Sequence, residues 1–257
     1  MNDGNEFIGH IVSQDTSILV LQTDKLGILT FNKSDIVRIT PIKPESLKEG
    51  QYWFENPQSA RYLWSPNGYG LKKGEGYYQN IWVLFNQVSY GLTINFSIGA
   101  GIVPIFLFGG GATPVWITPK FSIPVVKDKF NLGAGALVGT VLGESETGFG
   151  LLYGLATAGS RDMNVSLGIG YGVTGSGWGK SPLITLSGMA RTGARGYLIT
   201  ENYYMNIDGD AIVLLSAGFR WVIKKAGLDF GLVIPREEGL SFIAIPWLGV
   251  TIPFGKY

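Results

Sequence analysis

Cysteine is absent from the 257 residues, which removes disulfides, thiolate nucleophiles and cysteine-ligated zinc or iron–sulfur centres. Histidine occurs once, at His10, so Ser-His or Asp-His catalysis of the kind found at the walls of membrane-embedded hydrolases has nothing to draw on in the rest of the chain. Charge is scarce too. Only 15% of the residues are Asp, Glu, Lys or Arg, against about 25% in ordinary soluble domains. The net charge is +1 and no Lys/Arg-rich run exists, so nucleic acid would find no basic footprint. The opening MNDGNEFIGH has no basic stretch followed by an apolar one, hence no signal peptide is visible. For an exported protein this implies a mature form whose leader is replaced by Met1.

The scarcity of charge is uneven. Residues 1–79 carry 17 charged side chains and residues 80–257 carry 22, with none from Gly76 through Pro119. The uncharged stretch 98–118 is long enough for a spanning helix. However, it holds Pro104, Pro114 and the triplet Gly109-Gly110-Gly111 between period-2 segments, which is the pattern of two strands and a turn.

That period-2 pattern dominates the second part of the chain. In NVSLGIGYGVTG, 164–175, Val165, Leu167, Ile169, Tyr171 and Val173 alternate with Asn, Ser, Gly and Thr. From residue 60 onward, segments of this kind separated by turn signals predict twelve strands: 60–69, 77–92, 94–108, 113–126, 130–143, 148–160, 163–175, 182–193, 196–206, 211–224, 228–236 and 240–254. Lengths of this order suffice for tilted spanning strands, which need about 9–11 residues. The expected fold is therefore all-β: an antiparallel up-and-down transmembrane barrel of about twelve strands, over residues 60–257, with a linker at 44–59 and a small β unit at 1–43.

Most of the charges after residue 79 fall in turns: 127–129, 144–146, 161–162, 180, 195, 208–210, 224–225 and 236–238. Five fall inside strands: Lys120, Arg191, Glu201, Arg220 and Asp229. Parity sets Lys120 with Thr118 and Ser122, Arg220 with Ser216 and Gly218, and Asp229 with Gly231, each on the polar side. A charge facing lipid at mid-membrane costs about 2–4 kcal/mol, whereas one facing a lumen can be hydrated or paired. The five are therefore expected as a lumen cluster, read either as a charged constriction that selects small solutes or as an ion-paired lumen filled by side chains or by residues 1–60. Glu201 fits least well, because turning it inward leaves Thr200 and Asn202 facing out; a bulge or a register error is expected there. The turns at 127, 161, 195 and 224 hold six basic and two acidic residues, and those at 72, 144, 180, 208 and 236 are net acidic, as sorting by membrane side requires. Trp64, Tyr69, Tyr77, Tyr78, Trp116, Tyr203, Tyr204, Trp221, Trp247 and Phe254 lie near predicted strand ends and read as interfacial girdles.

The first unit reads as a small curled sheet with apolar positions at Phe7, Ile11, Ile18, Val20 and Leu21. Asp3, Gly4, Gly9 and Ile11, followed by SILVLQT, resemble the opening of Sm-like or SH3-like barrels, although the Ile-Arg-Gly of the second Sm signature is missing, as Val37-Arg38-Ile39 shows. The stretch YWFENPQSARYLWSPNGYGLKKGEGYYQN, the uncharged strands and the closing WLGVTIPFGK together resemble an uncharacterised family of outer-membrane barrel proteins from Bacteroidota-type Gram-negative bacteria. The resemblance implies an outer-membrane location and supplies no activity.

No other motif carries chemistry. GFGLLYG, GIGYG and GSGWG precede no helix and lack a P-loop lysine. Asp208-Gly209-Asp210 is a turn signal without the spaced ligands of a calcium loop. No catalytic residue, cofactor or metal site is expected, and the partners expected are membrane lipid and, through the N-terminal unit in the periplasm, other envelope proteins. The reading is a non-enzymatic envelope component, scaffold or narrow pore. The alternative is a soluble barrel for a lipid or another hydrophobic ligand, with its apolar side turned inward.

Overall fold

The computed structural model describes residues 1–42, 44–48, 51–104, 111–144, 147–207, 209–236 and 243–256. They form two compact units, Met1–Glu55 and Asn56–Tyr257.

In the first unit, β1 (His10–Gln14), β2 (Ile18–Thr23) and β3 (Gly27–Asn32) make an antiparallel meander, followed by a two-residue ladder of β4 (Leu47–Lys48) with β5 (Gln51–Tyr52). Its core is slight: Leu19 and Leu21 are buried, Phe7 packs on Phe31 at 4.9 Å, and His10 is exposed. The turn between β1 and β2 is set by Asp15, whose carboxylate accepts the N–H groups of Ile18 at 2.8 Å and Ser17 at 2.7 Å. These bonds favour the charged form and hold the carboxyl below its usual range.

The second unit is a closed antiparallel barrel. Its wall runs β6 (Glu75–Ile81), β7 (Phe85–Gly91), β8 (Phe96–Ile102), β9 (Thr113–Ile117), β10 (Lys120–Val126), β11 (Phe130–Leu142), β12 (Phe149–Gly159) and β13 (Met163–Thr174), the last extended by the two-residue β14 (Gly177–Trp178). It continues through β15 (Leu183–Arg191), β16 (Gly196–Ile207), β17 (Asp210–Ile223), β18 (Ala226–Arg236) and β19 (Ile245–Gly255), which pairs back onto β6. Both β9 and β10 pair with β8 on one side and β11 on the other. They are two halves of one wall strand, interrupted at Thr118-Pro119, and the wall has twelve strands.

Two errors in the sequence reading cancel in that count. Residues 60–69 are not a wall strand, and 77–92 is two strands joined by a tight turn at Trp82, Val83 and Leu84. Trp82 and Val83 take positive φ there, at 51° and 65°. This is a left-handed conformation that bulky and β-branched residues rarely adopt, so nothing in the residue types announced a turn. Within 98–118, residues 98–102 lie in β8 and 113–117 in β9, and no helix among the described residues is long and apolar enough to cross a membrane; Gly109 and Gly110 fall outside the described residues.

The alternation is apolar side out. Along β13, Val165, Leu167, Ile169 and Tyr171 are exposed on the outer wall while Asn164, Ser166, Gly168 and Gly170 are buried within. Phe121, Ile123 and Val125 of β10, Trp221 of β17, and Leu228, Phe230 and Leu232 of β18 extend the same outer surface. Such an apolar belt on a closed barrel is the surface that hydrocarbon requires and water penalises. The apolar-inward arrangement of a soluble barrel is thereby overturned.

Glu201 needs neither a bulge nor a register shift. On β16 and β17, Ile199 pairs with Gly218 and Tyr203 with Leu214 in one continuous register. Between these pairs the ladder opens, and Ser216 Oγ bridges it, accepting the Glu201 N–H at 3.0 Å and donating to the Glu201 carbonyl at 2.6 Å. Thr200 Oγ1 donates to the Ser216 carbonyl at 2.7 Å, and Asn202 accepts the Ser216 N–H at 3.0 Å and donates to the Leu186 carbonyl at 2.9 Å. The two outward polar side chains are thus satisfied by backbone, which lowers the penalty of placing them in an apolar wall.

Candidate functional site

The lumen is filled by the chain that precedes the first wall strand. Residues 56–71 enter beside the 160–162 turn, where Asn56 Nδ2 donates to the Arg161 carbonyl at 3.0 Å. They then fold into a tight hairpin, with the Tyr62 N–H on the Ser65 carbonyl at 2.9 Å and a bridge between Arg61 and Pro66. A chain with no sheet neighbours must find partners for its backbone, and the inward side chains of the wall supply them. Glu201 Oε2 accepts the N–H groups of Trp64 and Ser65 at 2.9 and 3.0 Å. Thr157 Oγ1 accepts the Gly68 N–H at 2.7 Å, and Gln79 Nε2 donates to the Leu63 carbonyl at 2.7 Å. Glycine makes the close approach possible: a Cβ on Gly68 would lie 2.6 Å from the Asn131 carbonyl oxygen, and one on Gly227 would lie 2.2 Å from Gln58.

At the centre of this plug lies a charged triad. Arg220 grips Asp229 side-on, Nε to Oδ1 at 2.6 Å and Nη2 to Oδ2 at 2.8 Å. Arg61, from the plug, reaches Oδ2 of the same carboxylate with both Nη atoms at 3.3 Å. Arg61 also donates to the carbonyls of Tyr62 and Leu63 at 2.7 Å, to Gln58 Oε1 at 2.8 Å and to Thr251 Oγ1. All three charged groups are essentially inaccessible to water. One carboxylate shared by two guanidiniums leaves the cluster one positive charge in excess, stabilised by neutral oxygens.

The remaining members of the sequence-predicted cluster are dispersed. Lys120 is buried and donates to the Tyr69 carbonyl at 2.6 Å and the Ala60 carbonyl at 3.4 Å. Glu201 serves the plug backbone, with its other oxygen accepting the Tyr203 hydroxyl. Arg191 sits apart near the 160–162 turn, bonded to Asp162 at 3.0 Å. The cluster is therefore a set of plug anchors, with Arg191 outside it.

Sequence reasoning missed Arg61, Tyr62 and Trp64 by assigning them to a wall strand. Tyr62 donates to Asn164 Oδ1 at 2.6 Å and lies 2.7 Å from Ser166 Oγ, so two small polar residues of the period-2 stripe hold a plug tyrosine. It also misplaced aromatics. Trp64, Tyr69, Tyr77, Trp116, Tyr203 and Trp247 face inward rather than the membrane interface; Tyr78, Tyr204, Trp221 and Phe254 remain outside. Inside, Trp64 contacts Phe85 at 5.1 Å and Trp116 at 6.4 Å, and Trp82 contacts Trp247 at 5.0 Å. The signal available was parity: Trp116 shares it with Thr118 and Lys120.

Turn placement needs one correction. Lys72 and Lys73 precede β6 at the end of the barrel that carries the 127–129, 160–162, 192–195 and 224–225 turns, since Gly74 bonds both Gly91 and Lys256 there. They therefore add to the basic end rather than to the opposite one. Asp208, Glu146, Glu237 and Glu238 of the other set lie outside the described residues.

Beside the plug the lumen keeps a chamber of about 280 Å³. Its lining includes Ala60, Trp64 and Pro66 of the plug, Leu137, Leu151, Tyr153 and Leu155 of β11 and β12, Leu183 and Thr185 of β15, Lys120, and, on a more polar side, Gln87, Ser89, Ser97 and Thr118. The side chains at Leu151, Tyr153 and Leu155 point inward because Thr157, two residues on, does. Here the inward face is apolar as well as the outer one. Among the described residues no group of three His, Cys, Asp or Glu could hold a metal ion.

Fold and outer surface together define a twelve-stranded β-barrel of the membrane-spanning class, its lumen filled by its own chain. Among solved structures the protein is similar in fold to the KdgM porin, solved in complex with disordered oligogalacturonate, at a TM-score of 0.51 and 10% identity over 70% of this chain and 98% of that one. It is also similar to the CymD monoaromatic hydrocarbon channel, at a TM-score of 0.40 and 10% identity over 72% and 89% of the two chains. No protein-family model and no curated protein sequence matches it.

Proposed function

We propose that the protein is a non-enzymatic outer-membrane pore for small solutes, held closed by residues 56–71. The carrying observation is the Arg61–Asp229–Arg220 triad, which joins the plug to β17 and β18 through fully buried charges. Twelve strands enclose only a narrow lumen, so a hairpin of this size blocks it, and passage depends on the hairpin moving. The basic end, with its short turns, corresponds to the periplasmic side of outer-membrane barrels. On this reading Met1–Glu55 is a periplasmic unit available to other envelope proteins.

Planar-bilayer conductance of the purified protein tests the proposal. The native chain should be largely silent, and a variant with 56–71 replaced by a Gly-Ser linker of equal length should show small discrete openings. Silence in both would overturn the pore reading in favour of a structural scaffold.

A further inference from the structure

The lumen holds more cations than its carboxylates can neutralise. Asp229 is shared between Arg61 and Arg220, and both Glu201 oxygens are occupied by Trp64, Ser65 and Tyr203. Lys120 and Arg161 then have neutral partners only: Lys120 takes the Tyr69 and Ala60 carbonyls, while Arg161 takes Ser59 Oγ at 2.6 Å and the Gly70 carbonyl at 3.4 Å and lies over the Tyr69 ring. Among the described residues neither is in ion-pair distance of a carboxylate. A lysine ammonium has three donors, and a buried cation without a counter-ion is costly. Lys120 is only 7% exposed, and it lines the apolar chamber between the plug and β11–β12.

We infer that this chamber is a binding site for a small amphipathic carboxylate, its anionic head on Lys120 and its apolar body against Leu137, Leu151 and Leu155. Size sets the body. A dry cavity of about 150 Å³ accepts benzene, so about 280 Å³ accommodates roughly a dozen non-hydrogen atoms. Against Leu137, Leu151 and Leu155 the hydroxyls of a sugar acid would lose their water, whereas the polar Gln87, Ser89, Ser97 and Thr118 lie elsewhere in the lining, so an apolar body fits the leucine wall better. A neutral hydrocarbon would fill the volume and leave the ammonium uncompensated. The inference rests on the plugged-lumen reading, because the plug supplies one wall and the two carbonyls that hold Lys120.

The test uses the full chain in non-ionic detergent, with 4-phenylbutanoate and its primary amide as probes, followed by calorimetry. The carboxylate should bind at least about tenfold more tightly than the amide, the difference a charge-assisted contact makes. Lys120→Met should abolish the preference, Lys120→Arg should retain it, and Leu151→Trp should remove both probes by filling the chamber. Heat-modifiable gel migration verifies that each variant is folded; should Lys120→Met fail to fold, the carboxylate–amide comparison in the native chain and in Lys120→Arg decides. Equal affinity for the two probes, binding of neither, or a preference that survives Lys120→Met would overturn the inference. Conductance of the same preparations separates the two proposals. Openings in the linker variant without probe binding by the native chain would sink this site and leave the pore, whereas probe binding by a barrel that stays silent in both forms would do the reverse.

Discussion

Replacing Asp229 by Asn removes one negative charge at nearly constant volume and leaves two guanidiniums facing each other out of reach of water. Asp229 accepts from Arg220 at 2.6 and 2.8 Å and from Arg61 at 3.3 Å twice; an amide can accept through one oxygen and would present N–H to cations with the other group. Removing one partner of a buried pair costs about 3–5 kcal/mol. Barrel strands cannot relieve that strain without breaking ladders, but the plug can, because Arg61 is fully hydrated once it leaves. The cost therefore falls on the closed state, and the released population should rise roughly 10²- to 4 × 10³-fold. Two assays report it: open probability in planar bilayers, and trypsin cleavage after Arg61, a bond shielded in the closed barrel. The control is Asp162→Asn. That carboxylate pairs with Arg191 at 3.0 Å, Asp162 being 41% and Arg191 4% exposed; the guanidinium keeps the Gly193 and Ala194 carbonyls and lies outside the plug network, so the loss should leave release of the plug unchanged. Restoring balance with Arg61→Met in the Asp229→Asn background should recover part of the stability of the remaining network. The reasoning is refuted if Asp229→Asn matches the native chain in both conductance and trypsin resistance, or if Asp162→Asn has an equal effect.

Three further outcomes follow. Leu167→Lys, on the outer face near the middle of β13 and 60% exposed, should cost about 2–4 kcal/mol in urea unfolding from liposomes, while Val83→Lys at the exposed β6–β7 tip should stay within about 0.5 kcal/mol; equal effects would mean the wall does not face hydrocarbon. A Cβ on Gly101 would lie 2.2 Å from the Trp116 ring, so Gly101→Ala should displace that ring from its 2.9 Å bond to Gln87 and destabilise by about 1–3 kcal/mol, read in tryptophan fluorescence; an unchanged spectrum and stability would contradict the packing. The Asp15 carboxyl is held low by the Ile18 and Ser17 N–H groups, so the turn it supports is intact above the ordinary aspartate range and loosens as pH falls through the depressed value. The amide resonances of Ser17 and Ile18 should titrate below a free aspartate and lose that transition in Asp15→Asn; a midpoint at or above the free value goes against it.

The wall was legible because its two faces obey different solvents: Leu167 and Ser166 cannot exchange sides without putting a hydroxyl in lipid, so parity alone oriented β13, and the same logic oriented Lys120, Arg220 and Asp229. The plug was illegible for the complementary reason. ARYLWSPNGYG satisfies its backbone with side chains of β16, β12 and β6 that lie from Gln79 to Glu201 in sequence, and no local period records that. Glu201 was the one local clue. Its inward turn left Thr200 and Asn202 outside, which made sense only once Ser216 was seen bridging the opened ladder. The lumenal aromatics were lost by trusting strand-end position over parity at Trp116 and Trp247.

The chemistry of the plug also bears on whether it moves. Apolar side chains of similar volume in place of a buried ionic triad are often neutral or stabilising by about 1–4 kcal/mol, so a segment serving only to fill the barrel gains nothing from Arg61. Reversible closure does gain. Arg61 exchanges Asp229 and Thr251 for water when it leaves, while its bonds to Tyr62, Leu63 and Gln58 lie within the plug and can travel with it; the hydrogen bonds of Trp64, Ser65 and Gly68 to the wall exchange for water in the same way, each at a small net cost. Trp64, against Phe85 and Trp116, and the buried Leu63, Tyr69 and Leu71 resist by losing apolar contact. On the proposed pore function, a plug whose backbone anchors water can replace and whose charge is held by one carboxylate is one that can open while the barrel around it stays folded.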